Sequence, residues 1–100
     1  MALTTTVSFD EAAARAIAAA DDLEVQQRAR PFGGKAPSYE ERLEEALIEY
    51  RGSYFGVATR TSPARAAAAM TSDLIGARDS GARADYAALL AVREELLAHS

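Results

Sequence analysis

The chain has 100 residues, 49% of them hydrophobic, and a net charge of −4 at neutral pH. That is about one domain of ordinary globular composition, with no whole-chain basic footprint for nucleic acid. Cysteine is absent and His99 is the only histidine. Disulfides, thiolate metal centres and cysteine nucleophiles are thereby excluded, and any imidazole chemistry is left to one residue beside the C-terminus.

Alanine makes up roughly a quarter of the residues, far above average usage, and large side chains are few. Alanine favours helix at almost no entropic cost but buries little area, so the composition predicts ready helices around a thin core. Lys35 is the only lysine, asparagine is missing and arginine is plentiful, a residue usage expected from GC-rich coding in a bacterium or bacteriophage. No run approaches the roughly 20 apolar residues of a membrane span. Residues 1–9 lack the basic start and apolar run of a secretory signal. A cytoplasmic protein, or one inside an assembly made in the cytoplasm, is the expectation.

Residues 1–7 include Leu3, Thr4, Thr5, Thr6 and Val7, a β-branched run without helical period, and read as an extended arm. Ser8 and Glu11 have the spacing of a capping box, with Asp10 and Glu11 placed to suit the helix dipole. Phe9, Ala13, Ala16, Ile17, Ala20 and Leu23 then recur at three-four spacing, predicting a first helix over 8–30. Pro31, Gly33 and Gly34 end it in a loop over 30–37. The Gly33-Gly34-Lys35 run is not a phosphate-binding loop, because Ala29 and Ala36 stand where that motif needs Gly and Ser/Thr.

A second capping box, Ser38 with Glu41, opens a helix over 38–51 that is extendable to 60, with the conformation of 52–61 open because Gly52 and Gly56 weaken it. Tyr39, Leu43, Ala46, Leu47 and Tyr50 line one face, continued in phase by Tyr54 and Val57, and Phe55 falls off that stripe as an exposed aromatic. Glu40, Glu41, Glu44, Glu45 and Glu49 occupy the opposite face. Carboxylates at i,i+4 suit a divalent metal, but helical di-metal sites also use histidine, which is lacking, so a solvated acidic face is preferred.

Ser62-Pro63 has the form of an N-cap followed by proline at the first helical position, and predicts a third helix over 63–79. A fourth follows over 82–98, with Tyr86, Leu89, Leu90, Leu96 and Leu97 as its apolar stripe. Arg93 lies within that stripe, where it must snorkel or meet a carboxylate. Arg51, Arg60, Arg65, Arg78 and Arg83 outnumber Asp73 and Asp79 over residues 51–83. Ala77 and Gly81 stand four apart, as in a helix-turn-helix, although Asp85, Glu94 and Glu95 would repel a phosphate backbone.

The residues therefore predict one all-α domain over 1–100, a small bundle or orthogonal array of about four helices with an extended N-terminal arm. The function expected is a non-enzymatic interaction module: an adaptor, or a structural subunit of a homo-oligomer or of a larger assembly such as a viral particle. No catalytic residue, cofactor or metal is assigned. The partner is expected to be another protein or a second copy, with an interface drawn from Tyr50, Arg51, Tyr54, Phe55, Leu89, Arg93, Leu96 and Leu97. These combine the aromatic, arginine and leucine side chains that suit an interface centre. A small DNA-binding regulator is the first alternative, so nucleic acid is a less favoured partner. A carboxylate metal-binding protein is the second.

Overall fold

The computed structural model describes residues 8–29 and 37–100. The predicted N-terminal arm and the Gly33-Gly34-Lys35 loop lie outside them. The described residues form a compact all-helical array of α1 (Phe9–Ala29), α2 (Tyr39–Arg60), α3 (Pro63–Ala69), α4 (Thr71–Ser80) and α5 (Arg83–Ala98).

Local chemistry accounts for most of the boundaries. The Ser8 hydroxyl accepts the Glu11 amide at 3.2 Å. Ser38 and Glu41 form both halves of their capping box, satisfying donors that a helix start leaves unpaired. Ser62 accepts the Arg65 amide at 3.1 Å, with Pro63 at the first helical position. Gly81 adopts φ 76°, ψ 18° and ends α4, and the Ala82 amide reaches back to the Ala77 carbonyl at 2.9 Å. This left-handed geometry is one that glycine reaches without a Cβ penalty.

One boundary that the sequence left open is resolved, and one differs from expectation. The second helix does not falter at its glycines but runs through to Arg60, so residues 52–60 are helical. The third predicted helix is bent into two. At the joint, Met70 donates its amide to Ala67 and Ala68 and is fully buried. Met70 keeps right-handed helical angles (φ −73°, ψ −14°), so the interruption is a local change of hydrogen bonding at one residue.

α2 is the axis of the array, packed on by α1, α3 and α5. Its continuity through Gly52 is a matter of tertiary contact. A Cβ on Gly52 would overlap the Ala20 Cβ and stand 3.1 Å from the Ala16 carbonyl oxygen, so α1 lies almost backbone to backbone on α2. Of the fifteen buried hydrophobic residues among those described, eight are alanine, and this is what lets the helices approach so closely. The bulk is supplied by Phe55, Met70, Leu89, Val92 and Leu96, all fully enclosed.

Phe55 is the principal correction to the sequence reading. Expected to stand exposed, it is fully buried. It stacks on Phe9 at 5.6 Å, and its edge meets His99 at 6.4 Å. The stripe read from α2 treats the helix as having one buried face, whereas α2 is covered from several sides and buries Phe55 as well as Tyr54.

Gly52→Ala should therefore lower stability by about 1–3 kcal/mol through overpacking, even though alanine is the better helix former. Gly76→Ala, on an exposed turn of α4 with nothing within 4 Å of the new methyl, should instead raise it by about 0.5–1 kcal/mol. Urea melts of the two variants beside the parent check both signs.

Candidate functional site

Polar side chains that leave the core converge where α2 meets the start of α5. Arg42 grips Asp85 with two parallel hydrogen bonds, Nε to Oδ1 at 3.0 Å and Nη2 to Oδ2 at 2.7 Å. The Tyr50 hydroxyl donates to the same Oδ2 at 2.7 Å, and Arg42 Nη1 reaches Glu49 at 3.1 Å. Such bidentate charge-assisted contacts are among the stronger polar links in proteins. Direct hydrogen bonding by Arg42 and then Tyr50 outweighs desolvation and holds the Asp85 carboxyl below its ordinary range. Burial, and then the bond to Asp85, push the Tyr50 phenol up to about 12. Bonding to Asp85 raises Arg42 above its usual value.

A second phenol, Tyr54, is buried and donates to Asp73 of α4. Desolvation followed by that bond raises its pKa. Farther along α2, Arg51 bonds Glu95 of α5 through Nε at 3.1 Å and Nη2 at 2.9 Å, with its guanidinium 5.6 Å from the centre of the Phe55 ring. The links to Asp85, Asp73 and Glu95 each tie α2 to a later helix through partly exposed groups.

Of the interface residues expected from the sequence, Tyr54, Phe55, Leu89 and Leu96 are buried inside the chain. Tyr50 and Arg51 are half-buried and engaged with Asp85 and Glu95. Arg93 and Leu97 stay on the surface. The single leucine stripe read from α5 is really two faces. Ala84, Ala88, Leu89, Val92 and Leu96 point inward, while Leu90 is 40% exposed and Leu97 41%. Arg93 lies where the two faces adjoin. Leu90, seven residues before Leu97, and Glu94, three before it, complete the outer face.

Arg42 was not singled out from the sequence, nor was the pairing of Asp85 with it. No local spacing links residues 43 positions apart, and an arginine among five glutamates reads as a solvated pair. Open grooves surround this cluster. One, of about 600 Å³, runs between α1 and α2 over Ile17, Ala20 and Leu23, rimmed by Asp21, Glu24 and Glu49. The acidic face of α2 does not assemble a metal cage: among the described residues no group of three or more suitable side chains comes together. Glu45 instead accepts from Gln27 at 3.3 Å, and Glu49 is held by Arg42. Among the described residues no helix is long and apolar enough to cross a membrane. The predicted turn between the last two helices is present at Gly81, but Asp85 and Glu95 of α5 face arginines of α2.

Compared with models of protein families, with curated proteins and with solved structures, the chain matches none of them.

The pH response of the fold follows from Asp85. A carboxyl whose folded pKa is depressed contributes stability above its unfolded value, near pH 4, and loses it as pH falls through the folded value. Asp85→Asn should cost about 1–2 kcal/mol at pH 7 and flatten the loss of stability that the parent shows below about pH 4. Thermal melts from pH 7 to pH 3 compare the two slopes.

Proposed function

We propose that the chain is a non-enzymatic protein-interaction module, acting as an adaptor or as a structural subunit of an oligomer or larger assembly. The observation that carries this reading is the outer face of α5, where Leu90 and Leu97 are exposed on the side of the helix away from the core. Two large aliphatic side chains on one helical face, with a charged residue on either side, have the make-up of an interface centre with a polar rim. The alanine-rich interior adds support. It gives little area per residue, and small domains are already short of buried surface. The arginine links from α2 are spent inside the chain and leave this helix rigidly presented.

Leu90→Glu combined with Leu97→Glu should leave the fold intact, because both side chains are surface-exposed, and should abolish association. The measurement is native mass, by light scattering for the purified chain and by sizing for tagged chain in extract of its own cells. A mass above monomer in either setting, lost in the double variant, is the expected outcome. Monomer mass in both would remove the proposal. Retention on duplex DNA that falls steeply with salt would favour the alternative reading of α4 and α5 as a helix-turn-helix.

A further inference from the structure

We propose that the outer face of α5 is self-complementary and docks the same face of a second copy, the two helices running parallel about a two-fold axis. This rests on the interaction-module reading and names its partner. Leu90 and Leu97 are seven residues apart and share a line along the helix. Arg93 and Glu94 sit between them, three and four residues on from Leu90, and so flank that line on opposite sides. Neither the Arg93 nor the Glu94 side chain makes an ion pair or hydrogen bond with any described residue, whereas the neighbouring Glu95 is bound by Arg51. The surface thus holds two apolar knobs with one cation and one anion that are unpaired among the described residues, at nearly the same level on either flank.

Symmetry decides how such a surface pairs with itself. A two-fold axis parallel to the helices brings the Arg93 flank of one copy against the Glu94 flank of the other. Leu90 then meets Leu90, Leu97 meets Leu97, and two identical Arg93–Glu94 pairs close the gap between the leucine layers. A two-fold axis perpendicular to the helices brings like flanks together, arginine near arginine and glutamate near glutamate. Opposite charges beside an apolar seam select orientation in coiled coils in the same way, and a two-fold interface uses one patch twice. A contact one helix wide is smaller than the roughly 800 Å² per partner of a standard interface. The dimer is accordingly weak and concentration-dependent.

The natural chain has no cysteine, so single-cysteine variants report the geometry directly. In the parallel dimer, Leu90→Cys alone and Leu97→Cys alone each form a disulfide-linked dimer under mild oxidation. In an antiparallel pairing neither links alone and only their mixture does, which would overturn the proposal. Arg93→Glu and Glu94→Arg should each weaken the dimer about tenfold by light scattering, and the double exchange should restore it to within about threefold, as two lost and two regained surface ion pairs require. Equal weakening without restoration would also overturn it. If purified chain is monomeric at every concentration but tagged chain in extract runs larger, the self-pairing fails and the interaction-module reading stands. If both run as monomers, both fail.

Discussion

The close approach of α1 to α2 at Gly52 is the constraint on which the rest of the array depends. Where a side chain would overlap Ala20, the two backbones take up the space that a larger core would fill with leucine. Alanines at 13, 16, 46 and 58 line the interior of the two helices, and the chain thereby exchanges side-chain volume for proximity. The bulky groups can then be concentrated elsewhere, with Phe55, Met70, Leu89, Val92 and Leu96 filling the interior. The glycines that lower the intrinsic helicity of α2 are thus tolerated for a packing reason.

A thin core places more of the burden of specifying the fold on polar links. Arg42–Asp85, Tyr54–Asp73 and Arg51–Glu95 each join α2 to a different stretch of the last two helices. Apolar burial alone is not directional, and alanine surfaces discriminate poorly between neighbouring rotations of a helix. A bidentate guanidinium is far less forgiving, because its fork geometry fixes both distance and angle. The polar contacts therefore set the register in which the small residues meet.

How much of this was legible in the sequence depended on the range of the interaction. Capping at Ser38 and Ser62, and the turn at Gly81, are local chemistry and stand in the structure as read. The all-helical class follows from the same periodicity. The extent of α2 was not legible, because nothing near Gly52 announces that Ala20 lies against it. Phe55 was misplaced for a related reason: a helix covered on several sides has no single apolar stripe to be off. In α5 the stripe was drawn too wide, merging an inward face centred on Val92 with the outer pair Leu90 and Leu97. Only the positions of α2, α3 and α4 around it separate the two. Arg93 was picked out on its position alone, and it does fall at the junction of those faces. The Arg42–Asp85 link is a contact between distant residues and has no sequence signature.

The aromatic cluster at one pole also governs how the polypeptide is threaded. The ring of Phe9, at the head of α1, lies 5.3 Å from that of His99, just past the end of α5. The head of α1 and the end of α5 therefore lie side by side. A short peptide joining residue 8 to residue 100 would permit the backbone to be opened at another loop without reorienting a helix.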